Sequence, residues 1–400
     1  MLEGVGRCMV HDFDVLIERR GTDCYKWDSM EERFGERDLL PFWVADMDFA
    51  SAEPIQRALL ERIQHPVYGY SCLAPSVYEA VISWLEKRHG WLIQRQWLSF
   101  TAGVVNALNL IIQTYTLPGE RIIVQPPVYA PFFNSVRNNG RQVVFSPLVQ
   151  TERGYVMDFD GLEEKIDSRT RMLILCSPHN PVGRVWRREE LERLAAICLS
   201  HGILMVSDEI HSDFIYSGHR HIPLASLSPE VEQNTITCMA PSKTFNLAGL
   251  GTSFVVIPNK SLRDRFNNTL TNVGIGTSPL GVTAMEAAYR HGEQWLDELL
   301  AYLEGSRDLL KGFIKERVPG VKMMELEGTY LAWLDCRELG ITGCSVSEFL
   351  VSKAKIAVND GQWFGPGGQG FVRFNIGCPR PLLQEGLERM EAAVKEHRRA

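Results

Sequence analysis

Between about residue 100 and residue 258, short apolar β-branched runs alternate with longer segments of helical period, the pattern of a sheet covered by helices on both faces. The runs at 122–127 (IIVQPP), 142–148 (QVVFSPL), 171–178 (RMLILCSP), 203–210 (ILMVSDEI), 235–241 (TITCMAP) and 252–258 (TSFVVIP) predict strands. Between two of them, Leu191, Leu194, Ala195 and Cys198 recur at i, i+3, i+4 and i+7 ahead of Gly202, which predicts a helix closed by a glycine. A strand, helix, strand crossover of this kind implies parallel pairing. Beyond about residue 292 the pattern changes to a long charged helix, two short strand runs (YLAWLDC and FVRFNIG) around a Gly-rich loop, and a terminal helix from about 381, a smaller α+β unit. The expected division is an N-terminal arm over 1–49 that contributes to the smaller unit, a large unit over 50–291 and a small unit over 292–400.

A chain of 400 residues is long enough for two or three compact units, and a composition 45% hydrophobic and 23% charged is that of an ordinary globular protein. The formal charge of −7 provides no basic field for nucleic acid or anionic lipid, which favours a small-molecule ligand. Nine scattered cysteines without a CxxC pair match neither a disulfide framework nor a zinc site, so a reducing cytoplasm is expected. The first twenty residues lack a continuous apolar segment, and no stretch approaches the ~18 apolar residues of a membrane helix, so neither a leader nor a membrane span is expected.

Four polar groups stand just past the carboxyl ends of separate predicted strands: Tyr129, Asn180, Asp208 and the pair Ser242-Lys243. Ligands of open α/β sheets bind beyond those ends, so the four should face one pocket. Taken singly, each has a plain alternative: Asn180-Pro181 is a common turn dipeptide, Tyr129 can be core, and Asp208 can cap a helix or form a salt bridge. Lys243 lies in APSKTFNLAGLG, where small residues let backbone approach a ligand closely. A buried lysine with a depressed pKa is the standard amine for a carbonyl or pyridoxal Schiff base. Asp208 would then pair with a protonated pyridine nitrogen, and the Ser242 hydroxyl would be offered to phosphate. Behind Ala102-Gly103, apolar residues at helical spacing predict a helix opened by the amides of Gly103, Val104 and Val105, a ready anion site. Arg373, among apolar neighbours in FVRFNIG, wants a carboxylate, either an internal ion-pair partner or that of an amino-acid substrate. The loop FGPGGQGF (364–371) lacks the Lys-Ser/Thr ending of a P-loop and is expected to be a mobile loop.

In order and spacing, PFWVADMDFA, VYGYS, PPVYAPF, LCSPHNPVGRVW, VSDEIHSDF, APSKTFN, TYLAWLD and FVRFNIGCPR resemble the aminotransferase class I/II superfamily. Within it the likeness is to the MalY/PatB group of cystathionine β-lyases, and it covers nearly the whole chain. The resemblance implies a fold-type I, pyridoxal-phosphate-dependent enzyme with a mostly parallel central sheet. It implies Lys243 as the Schiff-base and proton-transfer lysine, Asp208 on the pyridine nitrogen, Asn180 near the phenolic oxygen and Tyr129 stacked on the ring. It further implies Arg373 on the substrate carboxylate, with the Gly103, Val104 and Val105 turn and Ser242 forming the phosphate cup. Tyr70 would reach the phosphate from the neighbouring subunit of a homodimer. Two positions depart from the aminotransferase pattern. His211 replaces a tyrosine three residues after the pyridine aspartate, and Gly251 stands where many aminotransferases carry a phosphate-binding arginine.

Both departures favour the lyase branch, so cleavage of a Cβ–S bond with release of pyruvate, ammonia and a thiol is expected. Transamination is the alternative. A regulatory role through protein contacts, as resemblance to MalY permits, is a second one. Trp43, Trp363 and Tyr330 are candidates for the substrate's thiol side, with core packing as their other reading.

Overall fold

In the computed structural model, which describes residues 11–152 and 154–399, the apolar runs form a seven-stranded sheet. Its strands are β1 (Leu98–Thr101), β2 (Arg121–Val124), β3 (Gln142–Phe145), β4 (Thr170–Cys176), β5 (Leu204–Asp208), β6 (Thr235–Met239) and β7 (Ser253–Val256). The order across the sheet is β1-β7-β6-β5-β4-β2-β3, and only β7 runs antiparallel to its neighbours. All six predicted strands are present. The ladders stop short of the predicted ends wherever prolines or the 209–210 turn intervene, since proline has no N–H to donate. β1 was not anticipated: four residues, two of them Ser and Thr, carry too little apolar signal, yet all four are buried.

Successive side chains on these strands face opposite layers. Ile122, Val124, Met172, Ile174 and Val206 pack with the helices Val104–Tyr115 and Pro131–Asn138, while Ile123, Leu173, Leu175 and Met205 pack with the helix Arg188–Ser200. That second helix is the crossover between parallel β4 and β5, and Gly202 just beyond it has φ +62, as its predicted closing role requires.

The C-terminal unit is a four-stranded antiparallel sheet with Phe371–Asn375 between Leu331–Asp335 and Asn359–Asp360, backed by the helices Glu293–Arg317 and Arg380–His397. The arm is stitched to this unit: Leu40–Pro41 pairs in parallel with Ile356–Ala357, and Phe42 stacks on Phe374 at 4.3 Å. Residues 1–10, which belong to the expected arm and to the stretch read for a leader, lie outside the described residues. Among the described residues no helix is long and apolar enough to cross a membrane.

The segment after the arm's strand is pinned from several sides. Lys26, wholly buried, donates to Asp48 at 2.6 Å, and Arg19 spans Asp46 and Asp48 at 2.7 and 2.5 Å. Charges taken out of water in this way are tolerable only because each is paired and hydrogen-bonded. Asn246, at φ +58, binds the Met47 amide and the Met47 and Phe49 carbonyls, and Asn375 binds the carbonyls of Val44 and Asp46. The glycine-rich loop expected to be mobile is packed instead. Gly361 and Gly368 approach so closely that a Cβ on either would strike the other's backbone, and Val128 N–H donates to the Phe364 carbonyl at 2.9 Å.

Candidate active site

A cavity of about 340 Å³ opens at the carboxyl ends of β4, β5 and β6, where the crossing of an open α/β sheet leaves a crevice. Ala102, Gly103, Val104, Val105, Tyr129, Asn180, Asp208, His211, Ser242 and Lys243 all line it. Thus nine of the eleven residues proposed from sequence meet in one place, Arg373 touches that group through Asn180, and Tyr70 stands apart.

Lys243 sits in the one-turn helix Pro241–Thr244 directly after β6, and its Nζ donates to the Ala45 carbonyl at 2.6 Å. Burial, reinforced by the charge of Arg373, lowers this amine from its ordinary 10.5 to about 8. Asp208 closes β5 and is 5% exposed; burial pushes its carboxyl up to about 7 despite the Ile210 N–H donated to it at 3.1 Å. Among the described residues no cation forms a salt bridge with it, Lys243 acting on it only through its charge at longer range. A ring nitrogen bearing a proton would supply that cation. Nearby His211 is buried with an unpartnered Nδ1, and burial together with Lys243 and Arg373 holds its imidazole well below the usual range.

Arg373 lies in an inner strand of the small sheet, 3% exposed. Its Nη1 donates to Asn180 Oδ1 at 3.1 Å, and its Nη2 to the Trp43 carbonyl at 2.7 Å and to Asn359 Oδ1 at 2.6 Å. Among the described residues it pairs with no carboxylate, and its Nε has no partner. The internal ion pair left open by the sequence is therefore absent. Burial holds the guanidinium down to about 10, as befits a cation whose hydrogen-bond partners are all neutral.

At the cavity's other end the helix Val104–Tyr115 begins, with Gly103 at φ +127 as its cap. The Gly103 amide, expected to be free for an anion, is not: it donates to Ser253 Oγ at 3.0 Å. The Val104 and Val105 amides occupy the first helical positions and have no acceptor within the helix. Gly251, with φ +56, borders this end without a side chain, and Thr252, not foreseen, lines it with Ser242. Tyr129 meets Trp363 edge-on at 5.6 Å on the remaining wall. Tyr330 is not simple core: its hydroxyl donates to the same Ala45 carbonyl as Lys243, and His211 lies 5.9 Å from its ring. Trp43 packs into a core cluster and reaches Arg373 only through its backbone. Tyr70 is fully exposed and lines a separate groove with Tyr78, Phe100 and Leu270.

An amine that can be neutral near pH 8, a buried carboxylate awaiting a cation, an open helix start and a guanidinium awaiting an anion fit pyridoxal phosphate and an amino acid, group for group. The model of the aminotransferase class I and II family matches residues 43–390. The chain belongs to that family. Cystathionine beta-lyase PatB of Bacillus subtilis is 44% identical over 385 residues, covering 96% of this chain and 100% of that protein. Among solved structures of the family, a PLP-bound putative aminotransferase from Clostridium difficile is 43% identical with a TM-score of 0.93, covering 96% of this chain and 100% of that one. The PLP-bound C-S lyase from Staphylococcus hominis is 33% identical with a TM-score of 0.90, covering 96% and 98%.

Sequence reasoning expected Trp43 of the arm on the substrate's thiol side but missed the part played by the arm's backbone. The carbonyls of Trp43 and Ala45 hold the two cations of the site, and no side-chain motif announces a carbonyl. It also missed a second hollow of about 870 Å³ that shares Ala45, Lys243 and Ala248 with the first and is lined by Thr22, Cys24 and Tyr25.

Proposed function

We propose that this protein is a pyridoxal-phosphate-dependent carbon–sulfur β-lyase acting on cystathionine, cysteine or related S-conjugates and releasing pyruvate, ammonia and a thiol. The observation that carries the reading is the convergence on one cavity of a lysine near neutrality, a buried unpaired carboxylate and, beside them, a buried arginine with only neutral partners. Full-length likeness to a cystathionine β-lyase at 44% identity supports β-elimination as the outcome.

Lys243 is the residue that would hold the cofactor's aldehyde, Asp208 its ring nitrogen, Asn180 and Tyr129 its ring, and the Val104 and Val105 amides with Ser242 and Thr252 its phosphate. When bound, the cofactor supplies an electron sink for the charge left on the substrate's α-carbon. Arg373 grips the substrate carboxylate in a two-pronged hydrogen bond that fixes the α-carbon. Lys243, whose charged form burial disfavours, would serve as the neutral base that takes the substrate's α-proton. Asp208 would hold a proton on the ring nitrogen, the cation that its buried carboxylate needs to carry its own charge. The thiolate departs toward the second hollow, whose walls come from the arm.

Ile63, Val67, Tyr68, Tyr70 and Val273 are large apolar side chains left exposed, as a second copy would cover, which supports a homodimer in which Tyr70 serves the partner's phosphate site. The scattered cysteines support a cytoplasmic setting. The deciding experiment supplies cystathionine to the purified protein with no keto acid present. Steady pyruvate release is expected; turnover that begins only after a keto acid is added would establish transamination instead.

A further inference from the structure

The turn that follows β5 has two faces, and the proposed chemistry uses only one. Asp208 and His211 look into the cavity, whereas Glu209 and Asp213 turn away from it into the interior. Glu209, fully buried, accepts from Ser207 Oγ at 2.7 Å and the Leu224 amide at 3.0 Å, with His221 Nε2 at 2.8 Å from its other oxygen. Asp213, 6% exposed, has His89 Nε2 at 3.0 Å and accepts from Trp84 Nε1 at 3.3 Å and from Thr244 Oγ1 at 2.7 Å. The two imidazoles meet edge to face at 5.4 Å. Burial pushes the Asp213 carboxyl up, but His89 and Thr244 outweigh it and hold the group below its ordinary value, so the buried charge persists.

Thr244 is the residue after Lys243, and its side chain points away from the cavity that Lys243 enters. We infer that Asp213 is a positioning residue for Lys243, anchoring the lysine-bearing turn from behind through the Thr244 hydroxyl, with His89 and Trp84 fixing the carboxylate in turn. The physical need is specific. The proposed reading of the site, on which this inference rests, asks one lysine to serve first as a tether and then as a base, so its main chain must stay put while its side chain moves. A turn of four residues makes few internal bonds, Phe245 N–H to Pro241 and Leu247 N–H to Ser242 at 2.9 Å and Asn246 N–H to Lys243 at 3.4 Å, and the ties of Phe245 and Asn246 to Ser51, Met47 and Phe49 hold the segment after the lysine, so Thr244 is the anchor next to it on the interior side. A displacement of about 1 Å at a reacting group lowers a rate by about a hundredfold.

The test pairs Thr244→Val, which keeps the shape and deletes the donor, with Thr244→Ser, which restores it. In cofactor-free protein, hydrogen exchange of the 241–247 peptide should be about tenfold faster in Thr244→Val, unchanged in the β5 peptide, and normal in Thr244→Ser. In the loaded enzyme, exchange of a bound amino acid's α-proton in heavy water should slow about tenfold or more with KM within about twofold, and the α-deuterium isotope effect should rise. That exchange precedes either elimination or transamination, so it reports on Lys243 whichever follows; a wild-type enzyme without exchange would overturn the reading of Lys243 itself. Equal loosening of all peptides, or a rate loss matching the loss of folded protein with an unchanged isotope effect, would overturn the positioning role. Should Thr244→Val not fold, Trp84→Phe removes one donor from the far side of Asp213, with the same direction of change expected at smaller size and an unaltered isotope effect counting against the inference.

Discussion

Replacing Arg373 by lysine keeps a positive charge and removes the fork that reaches Asn180, Asn359 and the Trp43 carbonyl together. Two charge-assisted bonds to a carboxylate become one, a loss of about 1.5–3 kcal/mol per bond to a charged group, so KM for an amino-acid substrate should rise at least tenfold, read from initial rates. Lys243 titrates where this can be seen. The cofactor-free protein captures an aldehyde through its neutral amine, so the capture rate, followed by the yellow colour, should climb as pH passes about 8 rather than 10.5. The sign for stability follows. Below about 8 both folded and unfolded chains carry the proton and the full cost of burying it is present. Between about 8 and 10.5 the unfolded chain binds the extra proton, so the contribution of Lys243 to stability rises with pH through that window. Denaturant titrations of wild type and Lys243→Met across that range should converge as pH rises.

At the scale of elements, the helix Pro279–His291 packs on the loop that carries Thr252, with Gly281 at the contact. A methyl group there would collide with Thr252 Oγ1 and the Leu250 carbonyl, so Gly281→Ala should cost about 1–3 kcal/mol by thermal denaturation and weaken cofactor retention, because Thr252 lines the cavity. The strands flanking the cavity were legible because β2 to β7 are apolar and β-branched and are punctuated by proline or by helices. From strand ends alone, Tyr129, Asn180, Asp208 and Lys243 could be aimed at one crevice. What stayed illegible was whatever depends on backbone. The carbonyls of Trp43 and Ala45, the occupied amide of Gly103 and the tight packing of Gly361 on Gly368 carry no signature in residue type. Likewise Asp213 and Glu209 read as ordinary acidic residues until the fold turns them inward.

For the whole molecule, the position of Tyr70 outside its own cavity gives a complementation test. If the protein is the homodimer proposed above, Lys243→Ala and Tyr70→Phe subunits, each nearly inactive alone, should on mixing and refolding regain about a quarter of wild-type activity, since half the dimers would be mixed and one of their two sites intact. No gain would mean that each subunit completes its own site. The arm adds a further consequence. Trp43 and Ala45 are two residues apart, and their carbonyls hold Arg373 and Lys243. So short a stretch of chain behaves as a latch with a hand on either side: any shift of the arm that draws the first carbonyl off the guanidinium also carries the second away from Lys243.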